Sequence, residues 1–259
     1  MEKNSIHLGD CLELMKNIED KSIDLILCDP PYGSTACHWD TIIPFELLWE
    51  QYRRIIKDNG AIVLTASQPF TSLLVCSNLK MFKYQWIWQK NRYGNFIMAS
   101  RQPIKEQEDV CVFSKASSST TGNIKMIYNP QFVDVQQNKY QHHKQKDIDT
   151  PTKGSVGYSF NRNINEGAFP KNIIQFDFDK DRLHPTQKPV ALFEYLIKTY
   201  TNEGDLVLDN CAGSFTTAIA AINTNRNYIC MEKYETYFNI GKDRIKNHLA
   251  EQHSKLFSN

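Results

Sequence analysis

Leu206-Val207-Leu208-Asp209-Asn210-Cys211-Ala212-Gly213-Ser214, with Tyr228-Ile229-Cys230-Met231-Glu232 downstream, is the stretch that decides the fold. A short apolar run ends on an acidic residue, passes through a turn of small residues and enters the helical pattern of Phe215 to Ile222. A second apolar run closes on Glu232, nineteen residues after Gly213. Strand, turn, helix N-terminus, strand and closing carboxylate make a βαβ unit of nucleoside-binding type. The carboxylate stands at the distance that suits a pair of ribose hydroxyls.

The dinucleotide pattern G-x-G-x-x-G is missing, and Gly213 is the turn's one glycine. A pyrophosphate needs close backbone approach at several points and is repelled by an acid such as Asp209. A cationic amine is attracted by it. The unit therefore favours S-adenosylmethionine, whose methionine end carries an ammonium group, over NAD or FAD.

Working outward, the same alternation of strand and helix recurs. Ile6-His7-Leu8 reads as a strand running into Gly9-Asp10 and a helix from Cys11, for which Asp10 is a natural N-cap. Ile23 to Cys28 is a buried strand. Pro44 opens a helix with apolar positions at 45, 48, 49, 52, 55 and 56, and Asn59-Gly60 reads as its stop. Strands follow at Ala61 to Leu64, Tyr84 to Trp88 and Asp109 to Phe113, with a helix over Pro69 to Ser77. Helices over Val190 to Tyr200 and Tyr234 to His248 flank the βαβ unit. The pattern predicts an α/β fold with a mostly parallel, twisted sheet.

Asp29-Pro30-Pro31-Tyr32 sits at the carboxyl end of the Ile23 to Cys28 strand. A carboxylate, two prolines and an aromatic make poor core material. They suit a site that holds a planar ring bearing an amino group. Asp29 accepts from the amine, and the rigid Pro30 contributes its carbonyl as a second acceptor. Tyr32 offers a face for stacking. A Pro-rich turn closing a strand would look the same in isolation.

His184-Pro185-Thr186-Gln187-Lys188-Pro189 precedes the helix leading into the βαβ unit. Two prolines bracket three polar side chains, with His184 just ahead of them, so the loop reads as a rigid presenter of donors to a carboxylate. It also reads as a plain helix start with Pro189 in the first turn.

Between these motifs the chain changes character. From Ala116 to about residue 180 it is polar, and residues 125–188 carry ten Lys/Arg, seven Asp/Glu and three His. This segment reads as an insertion, either a surface loop or a recognition module on a nucleic acid.

The 259 residues suffice for one large domain with an insertion. The formal net charge is +1, so a DNA-binding face has to be a local patch. Seven cysteines without a C-x-x-C pair argue against a disulfide framework or zinc site, and no metal is expected. No run approaches the roughly 20 apolar residues of a membrane span. A soluble, cytoplasmic protein without membrane association is the expectation.

Taken together and in this order, Asp29 to Tyr32, the 184–189 loop and the Asp209 to Thr216 turn resemble the β-group amino-directed DNA methyltransferases. The 184–189 loop matches the family's His-Pro-Thr-Gln-Lys-Pro letter for letter. The resemblance implies a circularly permuted, Rossmann-like methyltransferase fold using S-adenosylmethionine. Residues 1–115 would form its catalytic part, 116–180 its target-recognition insertion and 181–259 its cofactor-binding part. Catalytic residues would be Asp29, Pro30, Pro31 and Tyr32. The cofactor set would be Asp10, Cys11, Asp29, His184, Thr186, Lys188, Asp209, Asn210, Cys211, Gly213, Ser214, Glu232 and Lys233. Within it, Asp10 would take the cofactor's adenine amine, and the 184–189 loop would clamp its carboxylate.

Double-stranded DNA is the implied partner, with the target base flipped out. Trp39, Lys90, Arg92, Tyr93, Phe96 and Arg101 are the candidates to touch it, with Lys105 beside them. Adenine N6 is the expected target because Asp opens the tetrapeptide. Cytosine N4, a catalytically weak DNA-binding protein of the same fold, and action on RNA are the alternatives. A homodimer and a cognate restriction endonuclease stay open as partners. The sequence departs from the family turn in two places. Asn210-Cys211 replaces Pro-Phe, and Phe215 stands where a second glycine is usual. A bulky Phe215 either narrows the pocket or packs back into the helix.

Overall fold

Along the central strands, successive apolar residues serve opposite faces. Leu25, Leu27, Val207 and Cys230 join one buried cluster, while Ile26, Cys28, Leu208 and Ile229 join the other. Strands buried on both faces belong in the middle of a three-layer α/β sandwich. A computed structural model describes residues 1–35, 37, 40–117, 122–133, 167–179 and 187–256.

Among the described residues one sheet has eight strands: β1 (Ser5–Leu8), β2 (Ile23–Cys28), β3 (Ile56–Ala66), β4 (Phe82–Gly94), β5 (Lys105–Phe113), β6 (Ile173–Gln175), β7 (Leu206–Asp209) and β8 (Asn227–Glu232). Their order is β1-β8-β7-β2-β3-β5-β4-β6. All neighbours are parallel except where β5 meets β3 and β4. Helices α1 (Cys11–Met15), α2 (Phe45–Ile55) and α3 (Phe70–Ser77) cover one face. Helices α4 (Val190–Tyr200), α5 (Thr216–Asn223) and α6 (Glu235–Leu256) cover the other. No helix among the described residues is long and apolar enough to cross a membrane.

The connection from β7 leads outward to β8, and that from β2 leads the opposite way to β3. The adjacent carboxyl ends of β7 and β2 therefore form a topological switch point, where such sheets bind ligands. Asp24 ties this seam together. It is buried at the start of β2, accepts from Leu206 N–H at 3.0 Å and pairs with Lys57 at 2.6 Å.

Two sequence expectations change. Asn59-Gly60 does not stop a helix; α2 ends at Ile55 and both residues lie inside β3. Gly60 is needed there because a Cβ would stand 2.7 Å from the Asp24 carbonyl oxygen. Strand β6 lies within the range read as insertion, yet it pairs in parallel with β4. Residues 130–171 form a separate compact unit, and residues 172–179 belong with the sheet. In that unit Val133 and Ala168 exchange backbone hydrogen bonds of 3.0 and 2.9 Å, and the rings of Phe132 and Phe169 meet at 5.1 Å.

Candidate active site

At the end of β2 the strand geometry stops and Asp29 turns into a cleft of about 590 Å³, within the usual size of small-molecule sites. Pro30, Pro31 and Tyr32 line the same cleft. The Asp29 carboxylate is held on three sides. Its Oδ1 accepts from the Tyr32 hydroxyl at 2.8 Å and from the Thr65 hydroxyl of β3. The Lys188 ammonium stands 2.8 Å from both carboxylate oxygens. Oδ2 thus receives one donor and keeps an acceptor direction open.

The Tyr32 ring stacks on Phe70, with centroids 5.1 Å apart, so one of its faces is covered. Lys188 Nζ lies over the ring, 5.6 Å from the centroid. Burial pushes the Tyr32 phenol well above its usual range, so the hydroxyl stays a donor.

The loop after Tyr32 is pinned by Asp40, which the sequence reading passed over. Asp40 Oδ1 accepts from the N–H groups of Tyr32 and Gly33 at 2.7 and 2.8 Å, and Oδ2 from those of Ser34 and Thr35 at 2.8 and 2.7 Å. Burial opposes ionisation of Asp40, but the Thr35 hydroxyl and these N–H groups prevail and hold its carboxyl below the usual range. No local spacing announces this contact, since Asp40 looks like any polar loop residue.

The second half of the cleft comes from β7, β8 and the turn between them. Glu232 Oε2 accepts from Gly213 N–H and Oε1 from Tyr234 N–H, each at 2.8 Å. Burial raises the Glu232 carboxyl above its usual range. Asp209 is buried, accepts from Cys211 N–H at 3.1 Å and from the Thr217 hydroxyl, and burial pushes its pKa up to about 7. Asn210 accepts from the buried Tyr52 hydroxyl at 2.6 Å. Cys11 and Cys211 line the cleft. Hydrogen bonding to Cys211 and burial push the Cys11 thiol far up. Burial pushes Cys28 to about 12. These cysteines stay neutral thiols.

Asp10 caps α1 through Leu12 N–H at 3.0 Å and pairs with Lys233 at 3.1 Å on the cleft's rim. Ser214 donates to Gln187 at 3.0 Å, which fastens the 187–189 segment onto the turn. Arg244 of α6 grips the same turn through the Ser214 carbonyl and the Thr216 hydroxyl, each at 3.0 Å.

Phe215 does not narrow the cleft. It caps α5 in the left-handed region, at φ 58°, and packs fully buried against Phe238. Gly241 makes the space, since a Cβ there would fall 1.8 Å from a Phe215 ring carbon.

The model of the DNA methylase family whose members act on amino N6 or N4 matches residues 23–243, which spans both halves of this cleft. The chain belongs to that family. Among its relatives is the type II methyltransferase M.HpaI of Haemophilus parainfluenzae, 29% identical over 92% of this chain and 72% of the relative. The DNA adenine methyltransferase YhdJ of Escherichia coli is 28% identical over 98% and 87%. The crystal structure of an M1.HpyAVI–SAM complex matches with a TM-score of 0.60 at 25% identity, over 93% of this chain and 98% of that one. The eight-stranded, mostly parallel sheet is thus a methyltransferase fold.

Of the methylase's remaining candidates, Trp39, His184 and Thr186 lie outside the described residues, as does the Tyr93 side chain. Arg92, Phe96 and Arg101 are exposed on and beside the turn between β4 and β5. Lys90 lines the cleft with its side chain nearly buried and pairs with Glu108 at 3.0 Å. Lys188 lines it too, and its partners are Asp29 and Glu108.

Proposed function

We propose that this DNA methylase transfers a methyl group from S-adenosylmethionine to the exocyclic N6 of adenine. The observation that carries the reading is one shared cleft. Asp29 and Pro30 line it from β2, while Glu232, Gly213 and Asp209 line it from β7, β8 and their turn. A methyl acceptor and a methyl donor need such adjacent sites.

The residues fit the cofactor. Each Glu232 oxygen accepts one backbone N–H and keeps a second acceptor direction for a ribose hydroxyl. Asp10 on the rim suits the adenine amine, and Asp209 beneath the turn suits an ammonium group. When bound, the cofactor supplies a sulfonium methyl carbon as the electrophile.

The chain's own residues prepare the nucleophile. An exocyclic amine is weak because its lone pair is delocalised into the ring. The open acceptor direction of Asp29 Oδ2 and the Pro30 carbonyl take its two N–H bonds. That geometry favours a pyramidal nitrogen with its lone pair free for attack, and the proton it sheds passes to Asp29 Oδ2. Positioning supplies most of the acceleration. Thr65, Tyr32 and Lys188 keep the carboxylate in one orientation. The Tyr32 ring face turned away from Phe70 takes the flipped base. Residues 116–180 serve target recognition, in keeping with the family resemblance. Asp at the first position of the tetrapeptide supports adenine, in keeping with the family resemblance.

The test incubates the protein with labelled S-adenosylmethionine and unmethylated duplex DNA, then identifies the labelled nucleoside, with Asp29→Ala as control. N6-methyladenine is the expected product. N4-methylcytosine overturns the base assignment, and an absence of label in DNA overturns the enzyme reading.

A further inference from the structure

Lys188 Nζ is shared. It stands 2.8 Å from Asp29 and 3.2 Å from Glu108 Oε2, on a side chain only 6% exposed. Glu108 in turn pairs through Oε1 with Lys90 at 3.0 Å. Lys90 (β4), Glu108 (β5), Lys188 (ahead of α4) and Asp29 (just past β2) thus form a line of alternating charge along the wall of the cleft. Lys90 follows the last regular pair of β4 and β5, Gln89 with Gln107, and its ammonium reaches Glu108 on the neighbouring strand.

Two features of the line bear on chemistry. First, Asp29 needs one cation for balance, and Lys188 provides it. Lys90 and Glu108 add an equal and opposite pair, so the line carries no net charge. Their presence therefore concerns the placement and sharing of the Lys188 ammonium. Burial alone would lower its pKa, but Asp29 and Glu108 outweigh that and hold it above the usual lysine range, so it stays charged. Second, Glu108 Oε2 is buried and lacks a hydrogen bond of good geometry even with Lys188 at 3.2 Å. The ammonium leans toward Asp29, and Glu108 restrains it from the far side.

We propose that Glu108 is a positioning residue for methyl transfer. It acts through Lys188 to keep Asp29 oriented and still able to accept from the target amine. The inference rests on the function proposed above. Lys is a flexible four-carbon stem ending in a compact charge. With Asp29 as its single carboxylate, the ammonium, already 2.8 Å from both oxygens, is free to shift along the carboxylate and compete with the amine for Oδ2. A second carboxylate opposite divides the ammonium's attraction and fixes its position. Asp29 then keeps the acceptor strength that amine orientation needs.

Three variants test this: Glu108→Gln, which keeps the shape and removes the charge, Lys188→Met, and the double variant. Steady-state methylation gives kcat and KM for DNA, and equilibrium dialysis gives the affinity for S-adenosylmethionine. Glu108→Gln is expected to lower kcat about tenfold or more while both affinities stay within about twofold. In the Lys188→Met background the same substitution is expected to lower kcat no further. An unchanged kcat in Glu108→Gln overturns the proposal. So does a multiplicative loss in the double variant, because Glu108 would then act independently of Lys188. A Glu108→Gln protein that loses affinity for the cofactor as well assigns Glu108 to structure and also overturns it. A wild-type protein that binds the cofactor but methylates no DNA fails at the function itself, and the positioning role falls with it.

Discussion

Tyr32 combines two roles that one substitution can separate. Its ring lies on Phe70, and its hydroxyl donates to Asp29. Tyr32→Phe keeps the ring and removes the donor. Methyl transfer is expected to slow about tenfold, the range of one lost hydrogen bond to a charged group, with cofactor affinity unchanged. Tyr32→Ala is expected to cost more, since it also removes the surface on which the base would stack. Rapid-quench single-turnover kinetics checks both, and equal losses in the two variants would assign the whole effect to the hydroxyl.

Asp209 makes a prediction in pH. Burial raises its folded pKa to about 7, above the unfolded value near 3.8. The folded state therefore holds a proton that the unfolded state has already released. The stability associated with this group is full below about pH 4 and is lost as pH rises toward 7. Urea unfolding across that window, compared with Asp209→Asn, is expected to show the wild type losing stability relative to the variant as pH increases. Parallel curves would remove Asp209 as the source.

At the scale of elements, α5 begins with a residue that helix rules disfavour. Phe215 occupies the left-handed region, which a bulky residue adopts at a cost. Full burial of its ring, worth about 2–3 kcal/mol, offsets that cost. Gly241 on α6 is the counterpart, its missing side chain being the space the ring fills. Gly241→Ala is expected to destabilise by about 2–3 kcal/mol through overpacking. Phe215→Leu is expected to be milder in the Gly241→Ala background than alone. Denaturant unfolding of the four proteins measures this coupling, and simple additivity would reject it.

The same contrast separates what the sequence reveals from what it hides. β2, β7 and β8 were readable because both of their faces are buried, which writes a continuous apolar run. Asp29 to Tyr32 was readable because those four residues make no sense in a core. Thr65, Glu108, Asp40 and Arg244 were not. Each acts on a residue far away in the chain or across a loop, and its own neighbours look ordinary. β6 escaped because it has only three residues, two of them exposed. Asn59-Gly60 misled because a close-approach glycine and a helix-stop glycine share one letter.

For the whole molecule, the net charge of +1 leaves DNA attraction to local groups. Arg92 and Arg101 are exposed around the β4–β5 turn, whereas Lys90 is committed to Glu108. Arg101→Ala is expected to lower the slope of log affinity against log salt by about one, and Lys90→Ala to leave it unchanged. Fluorescence titrations of duplex DNA at several salt concentrations decide between them. A fall in slope for Lys90→Ala would return that residue to the DNA-facing set.

The strand order also governs how the chain can be made. Among the described residues β1 pairs with β8 alone, and β2 lacks one neighbour until β7 exists. During synthesis, β1 and one edge of β2 therefore leave the ribosome roughly ten to forty seconds before their partners, at about 5–20 residues per second. Until β7 and β8 are made, the chain presents open strand edges. A permuted sheet thus trades prompt folding for a site whose two halves can come together only after both of those strands have been made.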